Sequence, residues 1–291
     1  MKILKYLIEA IFIYVLFFLF RILGIDLSRK FSSFLLVKFG LLFRKKEIIK
    51  NNILKVFKEY SDIEIDKLIK KMWFNYGLTF AEYIFLDKFR FNKLPKSHIE
   101  ISGEEILDKV KKAGKPVIFI SAHLANFEIM AMELEKKNIN LAAIYRPLNN
   151  FFLNPFMVYL RKKYLCKKQV KKGLMGTRET INYIKNNNSI ALMVDQRVGE
   201  SERYPFFGIP AHTTTIPAQL ALKYDLEIIP IFLERKEENF FKMEIQQPIN
   251  YEKTQNYEED KKNITIKING IIEKMILKNP GQWIWTHSRW K

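Results

Sequence analysis

The sequence predicts an α/β protein with a central, largely parallel sheet flanked by helices, behind an N-terminal membrane-anchor helix. An apolar segment opens the chain, and short β-branched runs alternate with helix-length segments after residue 95. Hydrophobic residues make up 48% of the 291 residues and charged residues 27%, a composition typical of a folded, water-facing body. We expect the anchor to cover residues 1–25 and a single α/β domain to cover residues 26–291.

The apolar segment at residues 3–23 is about as long as the twenty residues that a helix needs to cross a bilayer core. Lys5 and Glu9 lie near one end, where charged side chains reach the interface. Because no small-residue cleavage site follows, we expect an uncleaved anchor rather than a signal peptide. The helix either spans the bilayer or lies in its interface.

The rest of the chain reads as helices and then as alternating strands and helices. Apolar spacing of three and four residues predicts amphipathic helices over 27–43 and 63–91. Strands are predicted at 98–103, 117–121, 141–145, 190–194, 227–233 and 242–246, and helices at 104–112, 177–185 and 216–224. In such a parallel sheet, reactive groups collect beyond the carboxyl ends of the strands.

The net charge of the chain limits the classes of partner that it is expected to bind. A formal net charge of +18 favours nucleic acid, an anionic bilayer or an acidic protein. Seven of the twelve residues at 161–172 are Lys or Arg, whereas the aromatic residues lie mainly in apolar runs, an arrangement that speaks against nucleic acid. Cys166 is the only cysteine, so no intramolecular disulfide forms.

A histidine follows the buried strand predicted at 117–121. His123 with Glu128 five residues later suits a general base at a strand end and its orienting carboxylate in the first turn of the next helix. Asn126 is a candidate cap for that helix. The chain has no P-loop, no Rossmann glycine fingerprint, no HExxH and no paired cysteines, so we predict no cofactor and no metal.

Four further segments follow the HxxxxE motif in order. They are AIYRPLNN at 143–150, Asp195-Gln196, PFFGIPA at 205–211 and NPGQWIWTHSRWK at 279–291. With His123 and Glu128, the chain resembles the lipid A biosynthesis late acyltransferases, the lauroyl/myristoyl transferase family, over almost its whole length. The resemblance implies a glycerolipid acyltransferase-like fold and transfer of an acyl chain from acyl carrier protein to a 3-hydroxyl of a primary acyl chain on a glycolipid precursor, at the inner face of the cytoplasmic membrane.

The resemblance also implies roles for individual residues. His123 is then the general base that deprotonates the acceptor hydroxyl, Glu128 orients it, and Asn126 shapes the same turn. Arg146 is a candidate for binding substrate phosphate or stabilising the oxyanion. The remaining candidates are Asp195 with Gln196, which position substrate or pair with Arg146; Phe206, Phe207 and Gly208, which build the wall of the acyl-chain site; and Arg289, which meets a phosphate or forms a structural ion pair with Glu273.

Two alternatives stay open. Phe127 and Arg197 stand where relatives have Trp and frequently an acidic residue, so another membrane lipid is an alternative acceptor: a lysophospholipid, an aminolipid or a mannosylated phosphoinositide. A basic, membrane-bound nucleic-acid-binding protein is the alternative of another class, resting on the net charge and the 161–172 segment.

Overall fold

The computed structural model describes residues 2–199 and 201–291, with only the backbone described at position 238. The described helices are α1 (Lys2–Leu23), α2 (Ile25–Phe39), α3 (Lys46–Val56), α4 (Asp62–Glu82), α5 (Leu86–Arg90), α6 (Glu104–Ala113), α7 (Glu128–Lys136), α8 (Asn154–Leu160), α9 (Leu174–Lys185), α10 (Ile216–Tyr224) and α11 (Tyr257–Lys278). The described strands are β1 (Ile99–Ser102), β2 (Ile118–Ser121), β3 (Leu141–Tyr145), β4 (Lys168–Lys171), β5 (Ser189–Met193), β6 (Arg203–Phe206), β7 (Ile209–His212), β8 (Ile228–Arg235) and β9 (Phe241–Ile245).

Seven strands form the central sheet in the order β1-β9-β8-β2-β5-β3-β4. The five strands from β8 to β4 are parallel to their neighbours. At the other edge β9 runs antiparallel to β8, and β1 pairs parallel with β9. The prediction of a largely parallel sheet flanked by helices is confirmed.

Both faces of the sheet are covered, as the continuous apolar runs of its central strands require. Along β2, Ile118 and Ile120 pack into a core formed with α3, α4, α10 and α11. Phe119, between them, packs into a second core formed with α1, α5, α6 and α7. Polar groups that follow β2 therefore emerge at the edge of the sheet, where the helical cover ends.

The six predicted strands are all present, within two residues at each end, whereas the strands β4, β6 and β7 and the helices α3, α8 and α11 were not predicted. The strand β4 lies inside the basic segment. Only Val170 of this strand is buried, and the surrounding lysines obscure the alternation of apolar and polar residues that would indicate a strand. The hairpin β6–β7 carries Pro205 and Pro210, which reduce its resemblance to a strand. The helix predicted over 63–91 is divided into α4 and α5 by a 3-10 turn at Tyr83–Phe85.

The N-terminal helix α1 is long and apolar enough to cross a membrane, judged by length and composition. One face packs on the domain, with Phe17 and Phe20 buried. Polar contacts accompany this packing: the Tyr14 hydroxyl donates to the Phe152 carbonyl over 2.8 Å, and Arg21 bonds Asp87 over 3.0 Å. The opposite face is apolar and exposed.

Candidate active site

His123 and Asp195 meet beyond the carboxyl ends of two neighbouring strands. Ser121 of β2 is paired in register with Met193 of β5, and each of the two site residues comes two positions after its strand residue. The His123 Nδ1 lies 2.7 Å from Asp195 Oδ1, and the backbone N–H of His123 donates to Asp195 Oδ2 over 3.1 Å. One carboxylate thus binds both the imidazole ring and its backbone.

Asp195 is ionised in this setting. Its side chain is 1% exposed, and burial alone would raise its pKa, but the His123 charge and the hydrogen bonds from His123 and Trp283 lower the pKa to about 2. Trp283 Nε1 donates to Asp195 Oδ2 over 2.7 Å. Because a carboxylate only accepts hydrogen bonds, the His123 Nδ1 carries the proton and Nε2 is the basic nitrogen.

The His123 ring is accessible on one side. Its side chain is 18% exposed, and no group in the described part of the chain bonds its Nε2. The Phe127 ring lies edge-on to the imidazole, with 4.5 Å between ring centroids. The imidazole is thus fixed through Nδ1 and free to accept a proton at Nε2.

The turn after His123 is held by helix α4 and by the C-terminal segment. Ala125 has a φ of 50°, the left-handed region, which an alanine adopts only with support from its surroundings. Thr79 Oγ1 donates to the Ala125 carbonyl over 3.0 Å, and the Ala125 N–H donates to the Gln282 carbonyl over 3.3 Å. These contacts fix the direction in which His123 leaves β2.

A buried charge network underlies the turn. The Glu82 carboxylate, fully buried, accepts hydrogen bonds from Arg29, Arg235 and Asn126 at 2.6 to 2.9 Å. Burial would raise the pKa of Glu82, but the charge of Arg235, followed by that of Arg29, lowers it. Asn126 is not the helix cap that the sequence suggested, because its Oδ1, the atom that would accept the capping bond, has no hydrogen-bond partner among the described residues. Its Nδ2 donates to Glu82, and α7 begins after Phe127 without a side-chain cap.

Glu128 forms no hydrogen bond or ion pair with His123 among the described residues. Its Oε1 accepts from the Tyr83 hydroxyl over 2.6 Å and from the Arg161 guanidinium, which also lies over the Tyr83 and Tyr145 rings. Burial alone would lower the pKa of Arg161, but the negative charge of Glu128 outweighs the effect of burial and raises that pKa. The pairing of Glu128 with His123 suggested by their spacing is thus corrected, because the turn directs Glu128 toward Arg161 while the strand register brings Asp195 to His123.

Arg146 and Gln196 lie at the same edge of the sheet. Arg146 directly follows β3 and is exposed, whereas Gln196 is half-buried beside Asp195. The pair of Asp195 with Arg146, one of the alternatives above, is absent from the described residues, since Asp195 is bonded by His123 and Trp283 instead.

The Phe-Phe-Gly segment forms the tip of the β6–β7 hairpin. Phe207 and Gly208 have φ angles of 53° and 70°, as in a type I′ turn. Phe206 is fully buried, 6.2 Å from Trp283 between ring centroids, so it supports the residue that bonds Asp195. The Phe207 N–H donates to Glu273 Oε1 over 2.7 Å.

Arg289 is also fully buried, and its expected ion pair with Glu273 is absent from the described residues. Its guanidinium donates to the His212 carbonyl and to Thr213 Oγ1, and it stacks on Phe206 at 4.8 Å. Burial lowers the pKa of Arg289 to about 10. The side chain fixes the C-terminal segment on the hairpin.

Cys166 lies apart from the imidazole and is fully buried. Its thiol donates to the Leu141 carbonyl over 3.0 Å, and burial raises its pKa to about 11. A thiol so placed is a poor nucleophile.

Sequence reasoning missed several residues that build the site. Trp283 was noted only as part of a motif, and Glu82, Arg235, Thr79 and Arg161 were not singled out. Two signals were available: a glutamate inside the aromatic stretch 63–91, and the matched positions of His123 and Asp195 after two predicted strands. The matched positions bring His123 and Asp195 together only if β2 and β5 are neighbours in the sheet. The sequence does not specify that strand order.

Comparison with known proteins identifies the family. The model of the bacterial lipid A biosynthesis acyltransferases matches residues 1–291, so the chain belongs to this family. It is 22% identical over 256 residues to the lipid A biosynthesis palmitoleoyltransferase of Escherichia coli, covering 85% of this chain and 79% of that protein. It is 24% identical over 201 residues to a lipid A biosynthesis acyltransferase of Haemophilus influenzae, covering 67% and 61% of the two chains.

Proposed function

We propose that this protein transfers a fatty acyl chain from an acyl carrier protein thioester to a hydroxyl of a lipid A precursor, with His123 as general base. The observation that carries the proposal is an imidazole held through Nδ1 by an ionised, buried Asp195, with Nε2 free at the carboxyl edge of the sheet. The family and the names of its relatives supply the reaction class.

The proposed reaction follows from this geometry. Nε2 accepts the proton of the acceptor hydroxyl as the oxygen bonds to the thioester carbonyl carbon. The C–S bond then breaks, and the imidazolium returns the proton to the departing thiolate. The products are an ester and the free thiol of the carrier.

Asp195 takes the orienting role that the sequence analysis gave to Glu128. It holds the reactive tautomer and stabilises the imidazolium that forms during proton transfer. Trp283 fixes the second carboxylate oxygen, and Glu82 with Thr79 and Arg235 fixes the turn. Glu128 contributes by holding Arg161 at the same edge of the sheet.

The donor and the acceptor are proposed to reach the site from different directions. An acidic carrier protein suits the exposed cations of the 161–172 segment, Lys162, Lys163, Lys167 and Lys171, which follow Arg161. The glycolipid is proposed to come from the membrane. We propose that Phe207, Gly208 and Gln196 act in substrate binding near this edge, whereas Phe206, predicted from the sequence to line the acyl-chain site, is fully buried and acts by supporting Trp283.

We propose that residues 1–25 attach the protein to the inner membrane and that the domain of residues 26–291 faces the cytoplasm. Support comes from the exposed apolar side chains on α1, α2 and a nearby loop: Ile8, Phe12, Val15, Phe18, Ile22, Leu27, Phe31, Phe34 and Phe151. Because α1 contacts the domain from Tyr6, beside Phe151, to Arg21, it carries the domain against the bilayer rather than at the end of a stalk.

The test is incubation of the full chain, in detergent, with purified lipid A precursor and a mixture of acyl carrier protein thioesters, followed by mass analysis of the lipid. We expect one added acyl chain, and His123→Gln should lower the rate by about a hundred- to ten-thousandfold with an unchanged circular dichroism spectrum. Replacing lipid A precursor with a lysophospholipid, an aminolipid or a mannosylated phosphoinositide tests the alternative acceptors. Transfer to one of these alone, or a fully active His123→Gln, contradicts the proposal.

A further inference from the structure

Two apolar tips are exposed beside the edge of the sheet that holds His123. The 41–43 tip lies in the turn after α2, where Leu42 and Phe43 are 82% and 73% exposed. The 174–175 tip lies at the start of α9, where Leu174 and Met175 are 88% and 76% exposed. Consecutive large apolar residues with such high exposure mark a surface that a partner covers.

Both tips are held outward by close packing at their bases. Gly40, directly before the 41–43 tip, lies against the Trp73 ring, where a Cβ would collide with the indole. The Phe43 N–H closes this turn by donating to the Gly40 carbonyl over 3.0 Å. Gly176, directly after the 174–175 tip, lies against the Lys171 carbonyl at the end of β4, where a Cβ would also collide. The fixed bases keep the apolar side chains of both tips in solvent.

The 41–43 tip adjoins the C-terminal segment that binds Asp195. Arg44, directly after the tip, donates from Nη2 to Ser288 Oγ over 2.7 Å. Asn52 Nδ2, in α3, holds the same segment by donating to two of its carbonyls over 2.8 and 2.7 Å. Trp283, five residues before Ser288, donates to Asp195 Oδ2 over 2.7 Å. The tip is therefore bonded to the segment that helps to orient the general base.

The 174–175 tip lies at the same edge of the sheet. The strands β2, β5, β3 and β4 are neighbours in this order and run parallel, so their carboxyl ends form one edge. His123 comes two residues after β2, and Leu174 comes three residues after β4. Since three strand spacings of about 4.8 Å separate β2 from β4, about 15 Å of sheet edge lies between the base and this tip.

Basic side chains flank both tips, and apolar ones connect the 41–43 tip with the N-terminal helices. Lys45 follows the 41–43 tip, Lys172 and Arg178 stand on either side of the 174–175 tip, and all three are exposed. Phe34 and Phe39 are exposed on α2 and continue the apolar surface from the 41–43 tip toward α1. Apolar side chains bordered by Lys and Arg suit the boundary between the acyl chains and the anionic headgroups of a bilayer.

We propose that the 41–43 and 174–175 tips dock the carboxyl edge of the sheet on the anionic leaflet that holds the acceptor lipid. The inference rests on the proposed membrane attachment through α1, and it adds which edge of the domain faces the bilayer. His123 then lies between two points of membrane contact. A lipid hydroxyl near the headgroup boundary can meet Nε2 while the other acyl chains of that lipid stay out of water.

Quenching by labelled lipids tests the docking without any acyl transfer. In the full chain carrying Cys166→Ala, each of Leu42→Cys, Leu174→Cys and Lys115→Cys is labelled with a nitrobenzoxadiazole fluorophore. The protein is reconstituted into nanodiscs of phosphatidylethanolamine and phosphatidylglycerol, with or without a doxyl quencher on the acyl chains. Lys115 is the matched control, because it is exposed in the turn before the amino end of β2, at the opposite edge of the sheet.

We expect the doxyl lipids to quench the emission at both tips and to leave the emission at position 115 unchanged. Absence of quenching at either tip, or equal quenching at position 115, overturns the proposal. Protection of the tips by acyl carrier protein or by a second copy of the chain, without quenching by lipid, also overturns it.

Removal of the apolar side chains tests whether the docking serves acyl transfer. For Leu42→Ser/Phe43→Ser and for Leu174→Ser/Met175→Ser, we expect transfer to an acceptor embedded in nanodiscs to fall by about tenfold, because each pair withdraws two large apolar groups from the bilayer. Transfer to a short-chain acceptor that is soluble as a monomer should stay within about twofold of the natural rate. Tyr257→Ser, at an exposed aromatic residue that begins α11, is the control and should change neither rate.

The two measurements separate failure of the docking from failure of the proposed function. Quenching at both tips supports the docking even if no acyl transfer to lipid A precursor is detected. Equal losses with the embedded and the soluble acceptor assign the tips to the reaction or to the fold rather than to the bilayer, and they contradict the proposal.

Discussion

Two carboxylates beside the turn at residues 123–128 differ in the kind of side chain that they bind. Asp195 bonds His123, whose second ring nitrogen is free, whereas Glu128 bonds Tyr83 and Arg161. The first pair leaves a basic nitrogen for chemistry, while the second holds a permanent cation that has no proton to exchange near neutral pH. The comparison teaches that the acid of a short motif and the acid that orients its base need not be the same residue.

The variant Asp195→Asn tests whether this carboxylate orients His123, and we expect it to have the largest effect. An amide in place of the carboxylate neither selects the Nδ1–H tautomer nor stabilises the imidazolium, so we expect kcat to fall by about a hundredfold or more. Steady-state transfer to lipid A precursor measures the change, and circular dichroism verifies the fold. A kcat within about threefold of the natural sequence contradicts the orienting role.

The Glu128–Arg161 pair, with side chains 10% and 13% exposed, should respond as a largely buried ion pair. Glu128→Gln leaves the Arg161 charge uncompensated, and we expect a loss of about 3 to 5 kcal/mol in the free energy of unfolding. The double variant Glu128→Gln/Arg161→Met removes both partners and should recover much of that stability. Urea unfolding in detergent measures both, and a double variant less stable than Glu128→Gln alone argues against the pairing.

Acid should weaken the His123–Asp195 pair in a defined range. The folded-state pKa of Asp195, about 2, lies below its ordinary value of 3.8, so its carboxylate contributes stability above about pH 4 that is lost as the pH falls through about 2. The advantage in unfolding free energy over Asp195→Asn should shrink by about 1 kcal/mol between pH 6 and pH 3. An advantage that grows toward acid reverses the sign and contradicts the pKa assignment.

The smallest effect is expected at the thiol. Cys166 is buried with its pKa raised to about 11, so iodoacetamide at pH 8 should leave it unmodified in the folded protein. Cys166→Ala should transfer acyl chains within about twofold of the natural rate, because no covalent step uses the thiol. A rate lowered a hundredfold would revive a thioester intermediate on this residue.

The sequence predicts much of the fold because its central strands are continuous apolar runs and its helices are amphipathic. The predicted strand at 141–145 and helix at 216–224 coincide with β3 and α10. By contrast, β4 and the β6–β7 hairpin are hidden by lysines and prolines, whose local preferences are overridden by pairing with neighbouring strands.

The sequence predicts which residues lie at the candidate site but not which of them bond each other. His123, Asp195 and Arg146 all follow predicted strands, so their shared edge follows from a parallel sheet. Which of them touch depends on strand order, since β2 lies beside β5 rather than beside β3. Local spacing therefore favoured Glu128 as the partner of His123, and only the register of β2 with β5 identifies Asp195.

The most direct test of the central claim is a double-mutant cycle on His123 and Asp195. Single-turnover acyl transfer is measured for the natural sequence, His123→Gln, Asp195→Asn and the double variant. If Asp195 acts through the imidazole, the double variant transfers no more slowly than His123→Gln alone. Losses that multiply, so that removing Asp195 slows transfer further when His123 is already gone, contradict the account.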